Sequence, residues 1–169
     1  LEKNHKRIDL YNMDIYKDYP HMQAVAKRIK KHEGFKLNTY NLAYNDVDGK
    51  YIKEDFKTGG YGHRMLEGEV APDTKEGWEQ IFEQDFRKSF ESASKLVDKD
   101  NTDPVALGIV TEMVYQMGSE GVSKFKNTLK LINNKDYAGA SKEMLDSKWA
   151  KQTPDRAVRL SNLMLSISK

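Results

Sequence analysis

The sequence predicts an α+β protein in two lobes, a small one carrying a short antiparallel sheet and a larger one built of helices. Three observations carry this. Residues 35–63 alternate polar and apolar side chains about an acidic turn, Asn45-Asp46-Val47-Asp48-Gly49, and end in Thr58-Gly59-Gly60-Tyr61-Gly62-His63, as short paired strands do. On either side of that stretch apolar residues recur at spacings of three and four. After Asp73 the helical period continues for about 25 residues, long enough to span two lobes.

Taken in order, residues 1–19 mix polar and aromatic types, with only Leu10, Met13 and Tyr16 at helical spacing, and read as an N-terminal arm or docking segment. From Pro20, the set Met22, Val25, Ala26 and Ile29 predicts a helix over 20–33 that Gly34 stops. Tyr40, Leu42 and Tyr44 alternate as a strand, Asp46 to Gly49 form a turn, and Tyr51 and Ile52 begin a second strand. Lys53 to Lys57 read as a polar insertion before extended chain resumes at Gly60. So few short strands must pack on a helix. Gly68 to Pro72 are linker-like, and Asp73-Thr74-Lys75-Glu76 form a capping box with Asp73 as the cap. The connecting helix, about 74–98, buries Trp78, Ile81, Phe82, Phe86, Phe90, Ala93, Leu96 and Val97. Asp103-Pro104 opens a helix that Gly118 should end, and Val122, Phe125, Leu129 and Ile132 mark the next. Asp136 and Thr153-Pro154 open two more. The expected organisation is therefore an arm over 1–19 and one domain over 20–169. Its sheet lobe covers about 35–72, and its helical lobe about 103–169 together with helix 20–33.

Composition narrows the chemistry. With 169 residues, 38% hydrophobic and 32% charged, the chain can build a globular core, and without cysteine it has neither a disulfide scaffold nor a thiolate metal site. Four scattered histidines lack zinc-ligand spacing, and Asp46 and Asp48 lack the glycine and glutamate of a calcium loop, so no metal is expected. No apolar run reaches membrane-spanning length, and no membrane insertion is expected. A net charge of +2 is too small to imply nucleic acid. It is unevenly spread: residues 1–103 carry 18 basic against 20 acidic groups and residues 104–169 carry 10 against 6, a bias suited to an anionic polymer.

Several residues could carry chemistry, each with a plainer alternative. Glu33 follows Ile29 by four on the edge of the apolar stripe, where partial burial would let a carboxyl hold a proton at neutral pH; the alternative is a solvated last-turn glutamate. Asp46 and Asp48 alternate through the turn, so at most one faces a cleft; both could be there for turn geometry alone. Asp85 shares a helix face with Trp78 and Phe82, and a charge there needs a partner such as His63 or an arginine. Trp149 reads as core, and spacing assigns Arg156 no partner.

Glu33-Gly34, the turn aspartate, and Thr58 with Gly60, Gly62 and His63 resemble the active-site region of the phage-type muramidases, in particular the lysozymes of T-even phages. The likeness continues through Val114-Tyr115-Gln116-Met117-Gly118, Phe125-Lys126-Asn127, Trp149 and Gln152-Thr153-Pro154-Asp155-Arg156-Ala157. It implies a two-lobed lysozyme-like fold that cuts the β-1,4 bond of peptidoglycan without a cofactor. The resemblance makes Glu33 the general acid, Asp46 (or Asp48) the catalytic aspartate, and Thr58 the residue holding water. It pairs Arg156 with Glu33 and His63 with Asp85, and it places Arg64, Tyr115, Gln116, Thr128, Glu143 and Lys148 around the glycan and peptide. The gaps from Glu33 to Asp46 and from Asp46 to Thr58 are longer than the family's, so enlarged loops are expected in the small lobe. Bacterial peptidoglycan is the expected partner, with a phage tail or baseplate protein as a second one through the arm. The site of action is the cell wall, as a free endolysin or a virion-associated lysozyme.

Overall fold

A computed structural model of the chain describes residues 14–168. Most of the expected arm, residues 1–13, lies outside the described residues. Helix α1 (Ile15–Asp18) is followed by α2 (Met22–Glu33), which buries Met22, Val25, Ala26 and Ile29. Gly34 at φ +68° ends α2 and turns the chain into strand β1 (Lys36–Asn45). Strand β2 (Tyr51–Gly60) returns antiparallel, and the short β3 (His63–Arg64) completes a sheet of order β1-β2-β3.

The small lobe departs from expectation in one respect. The extra residues do not form loops; they lengthen one β-hairpin. Lys53 to Lys57, read as a polar insertion, belong to β2, where the register slips between the pairs Asn41/Lys57 and Ala43/Lys53. The Asn41 side-chain amide donates to the carbonyls of Glu54 and Phe56 at 3.0 and 3.2 Å, satisfying backbone groups that the bulge takes out of the ladder.

Helix α3 (Lys75–Leu96) joins the lobes over 22 residues. Its cap is Thr74 rather than Asp73: Thr74 is the extended residue, and its hydroxyl accepts from the Gly77 amide at 3.1 Å. Trp78, Phe82, Phe86 and Phe90, four apart, are all buried on one face, each worth about 1.5–3 kcal/mol of burial free energy. Phe35 packs on Tyr61, Tyr61 edge-on against Phe82, and Phe82 stacks on Phe86, so one aromatic column runs from sheet lobe to helical core.

In the large lobe α4 (Pro104–Ser123) starts where Asp103 accepts from the Val105 amide at 2.8 Å. Gly118, at φ +82° and ψ 162°, leaves the helical conformation and ends the first run of this stretch as expected, and a second short run continues across the kink to Ser123. Then follow α5 (Lys126–Asn133), α6 (Tyr137–Leu145), α7 (Lys148–Gln152) and α8 (Pro154–Ser166). The core gathers Leu107, Ile109, Met113, Ile132, Met144 and Leu160 from these helices.

Candidate active site

Glu33 is the last residue of α2, at the point where the chain leaves the helical lobe for the sheet. Arg156 lies in the first turn of α8, whose start Pro154 sets. Its Nη1 donates to Glu33 Oε1 at 3.1 Å, and the two side chains are 22% and 11% exposed for Glu33 and Arg156. The carboxyl is therefore held through one oxygen on a side chain that stays partly exposed. Its remaining oxygen faces Gly62: a Cβ on Gly62 would lie 2.7 Å from Glu33 Oε2, and Gly62 has φ +79°. Only glycine suits both conditions.

The base of the hairpin is pinned beside this junction. Trp78 donates from Nε1 to the Leu37 carbonyl at 2.9 Å, and a Cβ on Gly59 would lie 2.6 Å from Trp78 Cη2, so the strand end lies directly on the indole. Thr58, which pairs with Tyr40, is 7% exposed. Tyr115 of α4 donates to the Tyr61 carbonyl at 2.6 Å, and Tyr61 donates to Glu79 of α3 at 2.6 Å, tying both lobes to the connecting helix. Burial raises both phenols, helped by Glu79 at Tyr61, which is pushed to about 12, and by Asp85 and Glu33 at Tyr115. Glu79 is held below the usual carboxylate range, first by Lys30 and then by Tyr61.

Beneath the sheet, His63 Nδ1 lies 2.6 Å from Asp85 Oδ2, and its Nε2 lies 2.8 Å from Glu69. The Asp85 hydrogen bond outweighs burial and raises the His63 pKa. Glu69 escapes sequence reasoning because no helical or strand period marks a loop carboxylate. Arg64 is exposed and lays its guanidinium 3.7 Å from the centroid of the Phe56 ring. Gln116 accepts from Trp149 Nε1 at 2.9 Å, Thr128 is buried, Glu143 is half-buried and Lys148 is exposed.

Asp46 stands apart. Its Oδ1 accepts from the amides of Asp48 and Lys50 at 2.9 and 2.8 Å, closing the tip of the hairpin, and Asp48 is exposed on the same tip. Thr58 lies opposite Tyr40, six residues back along β1, about 20 Å at roughly 3.3 Å per residue. The structure thus brings together Glu33, Arg156 and Gly62, and His63 with Asp85, but not Asp46 with Thr58.

A site missed by sequence reasoning lies behind Glu33. Glu112 of α4 is fully buried, and Arg28, Arg156 and Arg159 converge on it. The signal was present: a charge inside the apolar run Val105 to Val114.

A two-lobed α+β fold with a partly exposed, arginine-held glutamate at the lobe junction is the architecture of a lysozyme-type glycoside hydrolase. The chain belongs to the phage lysozyme family, whose model matches residues 30–163. It is 33% identical over 166 residues to a probable T4-type lysozyme 2 of Dictyostelium discoideum, covering 82% of this chain and 92% of that relative. It is 29% identical over 119 residues to the peptidoglycan hydrolase gp36 of Pseudomonas phage phiKMV, covering 68% of this chain and 12% of that protein. It is 25% identical over 175 residues to the pre-baseplate central spike protein Gp5 of Enterobacteria phage T4, covering 88% of this chain and 28% of that protein. Family membership supports muramidase-type hydrolase activity in general.

Proposed function

We propose that the chain hydrolyses the β-1,4 bond between N-acetylmuramic acid and N-acetylglucosamine in bacterial peptidoglycan. One observation carries the reading within the family: Glu33 sits at the lobe junction, held by Arg156 through one oxygen while part of the side chain stays open to solvent. Glu33 is the general acid. It protonates the leaving glycosidic oxygen, which otherwise departs as a high-energy alkoxide. Water attacks the opposite face, held by Thr58 and activated by Asp46, and the configuration inverts.

Inverting enzymes keep their two carboxyl groups about 6.5–9.5 Å apart. Asp46 lies ten residues beyond Lys36, on the order of 30 Å along extended strand. Its role therefore rests on motif order, and it requires the hairpin tip to bend back over a bound glycan. Asp48, on the same tip, is the alternative carboxylate. Arg64, Tyr115, Gln116, Thr128, Glu143 and Lys148 contact glycan and peptide in this reading, and the His63–Asp85 pair supports the sheet. Similarity to a peptidoglycan hydrolase and to a baseplate spike protein supports action at the cell wall. The chain acts there as a free endolysin or as a virion-associated lysozyme docked through residues 1–19.

The distance of Asp46 from Thr58 favours one other reading, a wall-binding or virion structural domain that keeps the fold without turnover. Digestion of purified peptidoglycan by the wild type and by Glu33→Gln, read by mass spectrometry, separates the two. Reducing N-acetylmuramic acid ends from the wild type alone are expected. Wall binding with no new reducing ends from either protein would replace the hydrolase reading with the binding one.

A further inference from the structure

Glu112 is 0% exposed, an expensive place for a carboxylate unless cations meet it. Three do. Arg28 Nε donates to both carboxylate oxygens at 3.2 and 3.3 Å, while Arg156 Nη2 and Arg159 Nη2 stand 3.9 and 3.8 Å from Oε1. Three guanidinium groups exceed what one carboxylate needs, and buried nitrogens on all three make no hydrogen bond: Arg28 Nη2, Arg156 Nε and Nη2, and Arg159 Nη2. The surplus is met at the other end of Arg156, whose Nη1 holds Glu33. One guanidinium therefore stands between two carboxyl groups, one buried and one facing the cleft.

We propose that Glu112 is a positioning residue that works through Arg156: it anchors that guanidinium and offsets part of the positive field that the three arginines set on Glu33. The inference rests on the reading of Glu33 as general acid. Counted without Glu33, three guanidinium groups against the one Glu112 carboxylate set a net positive field, and positive charge favours an ionised carboxylate and so opposes an acid catalyst. Removing Glu112 would raise that positive excess; removing Arg28 would lower it. Other charged and titratable groups face the cluster as well. From α2 and the turn before it come His32, pushed down by partial burial and by Arg159 and Arg156, and His21, which lies near Arg28 and Asp103. From the Glu33 side come Tyr115 and Asp85.

The test is the pH profile of kcat/KM for reducing-end release, measured on Glu112→Gln, Arg28→Met and the double variant, with folding checked by circular dichroism. Glu112→Gln should move the alkaline limb to lower pH by about one unit, the scale of a unit charge acting at an effective permittivity of about 20. Arg28→Met should move it to higher pH. The double variant, which removes one charge of each sign, should return close to the wild-type limb. If Glu112→Gln does not fold, the opposite shift in Arg28→Met and its reversal in the double variant carry the test. Activity lowered equally at every pH, or shifts of one sign in both single variants, would overturn the proposal and leave Glu112 a structural ion. A fully active Glu33→Gln would instead remove the general-acid reading beneath it, so the two failures are distinct.

Discussion

Arg156 Nη1 donates to Glu33 Oε1 at 3.1 Å across 123 residues of chain. The guanidinium comes from the first turn of a helix started by Pro154, the carboxyl from the last turn of a helix stopped by Gly34. Two local signals thus bring a guanidinium and a carboxyl together at the junction of the lobes.

Because this carboxyl is the proton donor in the proposed reaction, Glu33→Gln should lower turnover by at least about 10²-fold, the lower end of what positioned proton transfer contributes. The amide keeps an oxygen for Arg156, so circular dichroism and the denaturant midpoint should stay near wild type. Wall lysis at the wild-type rate would exclude the assignment.

Gly62→Ala tests how tightly the carboxyl is placed. Alanine at φ +79° costs about 1–2 kcal/mol, and its methyl would push on Glu33 Oε2. Gly68 has the same φ with nothing within 4 Å, so Gly68→Ala shares the strain without the contact. In urea unfolding the two variants should lose similar stability. In reducing-end assays only Gly62→Ala should lose ten- to a hundredfold, as misplacement of a reacting group by about 1 Å predicts.

His63 makes stability depend on pH. Its pKa is raised in the folded protein, by the Asp85 hydrogen bond first and against burial, with Glu69 adding to the rise. The folded state then binds the proton more tightly than the unfolded state. The stabilisation is complete below the unfolded value of about 6.5 and is lost as pH rises through the higher folded value. Thermal denaturation across pH 5–9 should show the difference between wild type and His63→Gln shrinking as pH rises. A difference that stays constant or grows would contradict the charged pair.

At the hairpin tip, Asp46→Ala removes an acceptor from two backbone amides and should cost about 1–2 kcal/mol. Asp46→Asn retains a side-chain oxygen and should cost less, and Asp48→Asn, exposed in the turn, should stay within about 0.5 kcal/mol of wild type. Equilibrium unfolding gives these values. Activity of the two asparagine variants decides the chemistry: loss in one with its fold intact identifies the carboxylate that reaches the glycan. Full activity in both would leave the tip a purely structural turn.

Local chemistry made much of this fold readable. Asp103-Pro104, Asp136 and Thr153-Pro154 start helices because a side-chain oxygen, a fixed φ, or both act within a few residues, and Gly34 ends one because its φ is positive. The four-residue spacing of Trp78, Phe82, Phe86 and Phe90 likewise defines the buried face of the connecting helix before any neighbour is known. Thr74 displaced Asp73 as the cap because adjacent polar residues can each fill that place, and backbone direction chooses between them.

Glu33 and its motif neighbours were nameable from order along the chain, and so was the possibility that Asp46 served only its turn. What spacing could not decide was where the added residues between Glu33 and Thr58 would go. Strand pairing across the bulge at Asn41 turned them into a long hairpin and carried Asp46 to its tip. Nor could sequence assign partners to Glu112, only its misfit in an apolar run. Arg28 lies 84 residues away, and Arg156 and Arg159 approach from α8. Caps, turns and periodic faces are decided by interactions a few residues long, which sequence displays. Register and buried charge pairing are decided by which distant elements pack together, and only the tertiary structure specifies that.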